Sequence, residues 1–239
     1  MRKLIFLCFI MAGIMSAQAK TLVVYYSYTN NVHRIVTELN RQIEADVIRV
    51  EPAEKGLDYA ANNYAIGSEQ ISKIRNNPND AASYPAIDPV EVNMAEYDCV
   101  IIGAPLWWSN MASPLQSFLF QYGKKMAGKK IGLIVSSSSS GISGVEGDAR
   151  RLIPNGDFLS PSLWIRSSQT SNASSMIGQW LREINYSAIS GLTDVVSDAE
   201  PSYTVYDIYG RCLVNNAKSI PQLSAGLYVI NRRKVYISR

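Results

Sequence analysis

The chain has 239 residues, of which 47% are hydrophobic and 18% charged, with a net charge of +3. This is the make-up of an ordinary globular protein, and three cysteines exclude a disulfide-built scaffold. Residues 200–239 carry six Lys/Arg against two Asp/Glu while residues 20–199 are mildly acidic; no basic surface interleaved with aromatics points to nucleic acid, which is not expected as a partner.

Arg2 and Lys3 precede the apolar run LIFLCFIMAGIM, which is short for a bilayer span. The small-x-small pattern Ala17-Gln18-Ala19 follows. Residues 1–19 therefore read as a secretory signal peptide, removed after Ala19, and the protein is expected to be exported. Cys8 lies inside this run without the small-residue context of a lipoprotein site, so Cys99 and Cys212 remain.

From residue 21 onward strands and helices alternate. Residues 21–27 read as a strand, and residues 31–45 as a helix with Val32, Ile35, Val36, Leu39 and Ile43 at three-and-four spacing. Residues 46–50 read as a short strand. Residues 59–76 form a weaker helical pattern interrupted by Gly67, and residues 77–90 a loop rich in Pro, Asn and Asp. Strand patterns follow at 98–104, 130–136 and 163–166, with Cys99 as a small core hydrophobe. Helical patterns cover 114–122, 145–152 and 173–184. Strands that are continuous apolar runs separated by helices predict an α/β fold with a five-stranded parallel sheet covered on both faces. Ligands of such sheets bind at the carboxyl ends of the strands.

Three of those carboxyl-end loops are distinctive. The first is Ser27-Tyr28-Thr29-Asn30-Asn31, directly before a helix, where free backbone N–H groups and the helix dipole suit a phosphate. By itself such a loop also reads as a plain N-cap. The second is Pro105-Leu106-Trp107-Trp108-Ser109-Asn110, whose indoles offer flat faces to a planar ligand or pack half-buried. The third runs from Ser136 through Ser140 to Gly141, and read singly it is a flexible loop. Together the three describe a site for an aromatic phosphomonoester nucleotide such as FMN. His33, the lone histidine, either faces the phosphate or stands exposed in the first helical turn. A hydrolase built on a loop serine would need this histidine as its base.

The chain resembles the flavodoxin family over residues 20–185, and most closely the branch with Pro-x-Trp-Trp after the third strand, here Pro105-Leu106-Trp107-Trp108. The resemblance implies a flavodoxin-like three-layer sandwich and noncovalent FMN. It implies electron transfer or flavin-dependent reduction, with an unidentified redox partner. Ser27, Thr29, Asn30, Asn31 and Val32 would form the phosphate loop. Pro105, Leu106, Trp107 and Trp108 would line one side of the ring system. Ser136, Ser137, Ser138 and Gly141 would border its other side and the ribityl chain. No general acid, general base or metal ligand is implied.

Two departures stand out. Asn30 occupies a position where the family has glycine, and Val32 one where it has threonine. Ser138 and Ser139 replace glycines, which costs affinity if those positions need positive φ. A non-enzymatic binding protein that kept the fold and lost the flavin is the alternative reading.

Residues 186–200 are polar and linker-like. Residues 201–239 read as a small antiparallel β module. The pattern Val205-Tyr206-Asp207-x-x-Gly210-Arg211, then Leu223-x-x-Gly226-Leu227-Tyr228-Val229-Ile230, resembles the C-terminal sorting domains of the type IX system of Bacteroidota. That resemblance implies export machinery as a partner and a place at the cell surface or outside. A stabilising appendage on a periplasmic protein is the other reading.

Overall fold

The computed structural model describes residues 19–190, 203–207, 209–217, 223–230 and 233–237. The expected signal peptide, apart from Ala19, and most of the expected linker lie outside the described residues.

The first unit is built on β1 (Thr21–Tyr25), β2 (Asp46–Arg49), β3 (Cys99–Trp107), β5 (Lys130–Ser137) and β7 (Leu163–Arg166). Two short strands, β4 (Asn110–Met111) and β6 (Asp157–Phe158), complete the sheet. The parallel order is β2-β1-β3-β5, with a fifth position shared by β6 and β7. β6 pairs with Lys130 and Ile131, and β7 with Ile134 through Ser137. The fifth strand is thus in two pieces, and the sequence pattern showed only the second.

Side-chain alternation along the strands explains the two covered faces. Val23, Tyr25, Cys99, Ile101, Ile134 and Ile165 point to one core. There they meet Val32, Ile35, Val36 and Leu39 of α1 (Asn31–Leu39) and Ile177 and Trp180 of α5 (Ala173–Glu183). Leu22, Val24, Val100, Ile102, Ile131 and Leu133 point the other way. That core also holds Leu115, Phe118 and Leu119 of α3 (Ser113–Tyr122) and Val145 and Ala149 of α4 (Ser143–Leu152). Burial, only partly offset by the Thr21 hydroxyl and the Lys130 ammonium, pushes the Cys99 thiol up to about 12, so it behaves as a core hydrophobe.

Beyond shifts of one or two residues at element ends, four differences from the sequence reading bear on the fold. α1 ends at Leu39, and a turn with Gln42 and Ile43 N–H donated to Leu39 O still buries Ile43. The helix expected across 59–76 is α2 (Ala61–Asn76), and its irregularity lies not at Gly67 but at Asn62, Asn63 and Tyr64, all with φ between 49° and 61°. β3 runs three residues past Ala104, because β4 folds back on it as a hairpin. Tyr186–Ile189, expected as the start of the linker, form a helical turn, α6, in which Tyr186 is buried and its hydroxyl bonds Thr21 Oγ1 at 2.8 Å.

The second unit is one antiparallel sheet of β8 (Tyr203–Asp207), β9 (Cys212–Ala217), β10 (Gly226–Ile230) and β11 (Arg233–Ile237), in the order β11-β10-β8-β9. Val205, Tyr228 and Ile230 form its core. The Asp-x-x-Gly-Arg motif has a local cause. Asp207 Oδ1 accepts the N–H groups of Tyr209 and Arg211, and its Oδ2 accepts Arg211 Nε at 2.7 Å. Together these bonds close the turn between β8 and β9.

Candidate functional site

The carboxyl ends of β1, β3 and β5 open into one cleft of about 510 Å³, within the range usual for small-molecule sites. β1 delivers Ser27, Tyr28, Thr29, Asn31 and Val32 to it; β3 delivers Pro105, Leu106, Trp107 and Trp108; β5 delivers Ser136, Ser137 and Ser138. Of the sequence-predicted residues, Asn30 and Gly141 are the two that do not line it.

Asn30 acts through the backbone instead. It takes φ 63°, ψ 1°, the left-handed turn that delivers the chain into α1, a conformation asparagine tolerates better than most residues. The buried Ser27 hydroxyl accepts the His33 N–H at 3.2 Å, while Arg49 Nη2 donates to Ser27 O at 3.1 Å and Arg49 Nε pairs with Glu51 at 2.6 Å. The N–H groups of Asn31 and Val32 are first-turn groups without an intrahelical acceptor, and both residues line the cleft. His33 is exposed, and its Nδ1 meets the Tyr25 hydroxyl at 2.7 Å, with the rings stacked at 5.9 Å. Among the described residues its ring bonds no serine hydroxyl, so the hydrolase reading has no serine–histidine pair there to stand on.

The Pro-x-Trp-Trp segment is the end of a strand and a two-residue turn rather than a loop. Leu106 pairs with Met111 and Trp107 with Asn110, and Trp108 and Ser109 between them take φ 45° and 62°. Positive φ at both central residues is what a type I′ hairpin requires. A tryptophan there is strained, and such strain persists only where the surroundings over-determine it.

Two close approaches supply that constraint. A Cβ on Gly144 at the start of α4 would lie 1.7 Å from Ser109 O, so the hairpin turn sits directly on the helix. A Cβ on Gly67 of α2 would lie 2.9 Å from Trp108 Cζ3, so the indole rests on bare backbone. Below the turn the buried Asp148 carboxylate accepts Met111 N–H at 2.9 Å, Asn110 Nδ2 at 3.0 Å and Arg151 Nη2 at 3.0 Å. Gln116 closes the network, donating to Met111 O and accepting from Arg151.

The two indoles have different surroundings. Trp107 packs on the core, with Tyr59 at 4.8 Å, Tyr26 edge-on at 5.6 Å and Trp108 at 6.3 Å. Trp108 is 42% exposed and keeps a face free.

On the opposite wall the Ser137 hydroxyl accepts Trp164 Nε1 at 2.9 Å and donates to Ser140 O at 2.8 Å, fixing the serine loop. Neither Ser138 nor Ser139 takes a positive φ. Serine in place of glycine therefore carries no backbone strain there, which removes the sequence-level objection to the loop.

Tyr59, Ala60, Tyr64, Gly67 and Ser167 also line the cleft and were missed. They follow β2 and β7, whose carboxyl ends share the same rim; applying the rim rule to every strand would have found them. Asp58 Oδ1 accepts the Tyr28 hydroxyl at 2.9 Å and Ala60 N–H at 2.9 Å, tying the loop after β2 to the phosphate-type loop. That pairing holds the Asp58 carboxyl below its ordinary range. Burial pushes the Tyr26 and Tyr59 hydroxyls up, and the bond to Asp58 does the same for Tyr28. These phenols stay neutral at neutral pH. Among the described residues no Asp, Glu, Lys, Arg or His lines the cleft, so its lining is polar at one end, aromatic at the other, and uncharged.

The flavodoxin family model Flavodoxin_4 matches residues 20–184. The chain belongs to the flavodoxin family. Solved structures of the same fold include a candidate flavoprotein from Bacteroides uniformis, 24% identical, covering 68% of this chain and 99% of its own, with a TM-score of 0.54. One from Bacteroides eggerthii is 23% identical over 70% of this chain and 98% of its own, TM-score 0.54. A Lactobacillus acidophilus flavoprotein, solved in complex with FMN, is 21% identical over 66% of this chain and 99% of its own, TM-score 0.51. The flavodoxin domain thus accounts for the first unit, and the β module of the second lies beyond the matched residues.

Proposed function

We propose that this flavodoxin binds FMN noncovalently and works outside the cytoplasm in electron transfer or flavin-dependent reduction. The observation that carries the reading is the cleft at the carboxyl rim with no ionic side chain among its lining residues, with the α1 N-terminus at one end and the indole hairpin at the other. The donor set suits a phosphate monoester: Ser27 and Thr29 hydroxyls, the Asn31 side chain and first-turn backbone N–H groups on the positive end of a helix. Pro105, Leu106, Trp107 and Trp108 would flank one side of a planar ring, and Ser136 through Ser138 the other. When bound, FMN supplies the redox chemistry. The chain positions it, shields it and keeps charge away from it.

The reading is tested by titrating the protein with FMN and following flavin absorbance and fluorescence. Saturable quenching of flavin emission supports it; unchanged emission at excess protein sinks it. Export is supported by the N-terminal pattern of residues 1–19, and a surface destination by the Asp207-to-Arg211 turn and the strand pattern of the tail. Deleting residues 201–239 and locating the product separates a sorting role, in which the product stops in the periplasm, from an appendage, in which location is unchanged.

A further inference from the structure

Beside the cleft lies a second cavity, of about 260 Å³, between the loop after β2, α2 and the turn at residues 81–86. Tyr59 is a wall of both. On the cleft side its ring packs on Trp107 at 4.8 Å. The residue is only 3% exposed, and its hydroxyl makes no hydrogen bond of ordinary geometry, although the Gln70 side chain stands beside it. Gln70 lines the second cavity and not the cleft, and its Oε1 already accepts the Ser113 hydroxyl at 2.6 Å. The unmatched Tyr59 hydroxyl therefore points toward the second cavity. A buried hydroxyl without a partner is a cost that a bound molecule removes. The walls are pinned: Ala53 N–H donates to Ala86 O at 3.1 Å, Asp88 N–H to Glu51 O at 2.9 Å, and the Tyr84 hydroxyl to Pro78 O at 2.7 Å. The cavity is thus pre-formed, as ligand sites usually are.

Its lining selects the chemistry of the ligand. Among the described residues Glu54 and Lys73 are its two ionic groups, one of each sign, and Lys73 is turned to Glu69 at 2.7 Å. An anion meets the Glu54 carboxylate and a cation the Lys73 ammonium, so a neutral molecule is favoured. The hydroxyls of Tyr59 and of the buried Ser83, the Glu54 carboxylate and the Gln70 amide all bond hydroxyl groups. Pro52, Leu57 and Pro85 supply apolar surface for the C–H face of a ring. The volume lies just under the range usual for drug-sized ligands, which suits one small ring and not a nucleotide.

We propose that this cavity binds a small, neutral, polyhydroxylated ring of monosaccharide size, held by the hydroxyls of Tyr59 and Ser83. The test titrates the full-length protein calorimetrically with D-glucose, D-galactose and myo-inositol, neutral rings that differ in hydroxyl orientation, with and without excess FMN. Single-site binding of at least one is expected, unchanged by FMN. D-Glucosamine at mildly acidic pH and D-glucuronate, close relatives of glucose made cationic and anionic, should bind about ten-fold more weakly than the neutral ring. Tyr59→Phe, which keeps the ring on Trp107, and Ser83→Ala, which lies outside the flavin cleft, should each weaken the neutral ring about ten-fold. Heats without saturation for all three neutral rings overturn the proposal and leave the cavity to water. Displacement by FMN overturns it too, because the sugar then occupies the flavin cleft. Equal affinity for the charged rings, or unchanged affinity in both variants, also refutes it.

Discussion

The two ends of the same sheet are built on opposite principles. At the amino end, charge is placed in pairs: Lys20 with Asp46 at 2.8 Å and Glu96 at 3.5 Å, Tyr97 hydroxyl to Asp46 at 2.8 Å, Lys130 with Asp157 at 2.5 Å. At the carboxyl end no ionic side chain among the described residues lines the cleft. Among the described residues, six of the eight non-glycine residues with positive φ gather there: Asn30, Asn62, Asn63, Tyr64, Trp108 and Ser109. Exposed ion pairs stabilise little, and strained backbone is a cost the rest of the fold must offset. One rim is relaxed and wet; the other is strained and uncharged, the pattern of a ligand site.

The largest expected contrast comes from Gly144→Ala. Its Cβ would overlap Ser109 O, so helix or hairpin must move. Overpacking of this kind should cost about 3 kcal/mol, read as a fall in the urea midpoint, with FMN affinity lost as the hairpin lifts. Lys130→Ala on the other rim should stay within about 0.5 kcal/mol. Equal midpoints for the two would mean that the hairpin is not seated on α4. Next is Asp148→Ala, which leaves Met111 N–H and Arg151 short of an acceptor and should cost about 2 kcal/mol in the same assay.

This contrast was half legible in the sequence. The apolar runs at 98–104, 130–136 and 163–166 announced a parallel sheet, because a strand buried on both faces leaves no room for polar alternation. The phosphate-type loop, the indole pair and the serine run could be placed at one rim by counting strands. The hairpin could not: Asn110 and Met111 are a two-residue strand with no period to detect, and Trp108 is among the residues least suited to a left-handed turn. The constraint that holds it there is tertiary, from Gly144, Gly67 and Asp148. Tyr59 and Tyr64 were hidden for a related reason. Their segment has a weak helical pattern because its first turn is left-handed.

The indole pair sharpens the contrast further. Trp107→Ala removes a ring packed among Tyr26, Tyr59 and Trp108 and should cost about 2 kcal/mol, since the ring is only partly buried. Trp108→Gly should do the reverse. Glycine takes φ 45° without penalty, so stability should rise by about 1 kcal/mol. FMN binding should meanwhile weaken about ten-fold with the loss of a stacking face. A variant that is both less stable and unchanged in flavin affinity would remove the strained turn from any role in binding.

The smallest effect belongs to the amino rim, and its sign follows from the charges. The Asp46 carboxyl is held below its ordinary range, first by the Lys20 ammonium and then by the Tyr97 hydroxyl. A group depressed in the folded state contributes stability above its unfolded value, near pH 4, and loses that contribution as pH falls through the folded value. Wild type and Asp46→Asn should therefore separate slightly in urea midpoint at about pH 6 and converge toward about pH 2. Both side chains are about half exposed, so about 1 M NaCl should erase the separation by screening. A gap that survives salt, or that matches the loss in Gly144→Ala, would make the amino rim as structurally committed as the carboxyl rim. The division of labour between the two ends of the sheet would then fail.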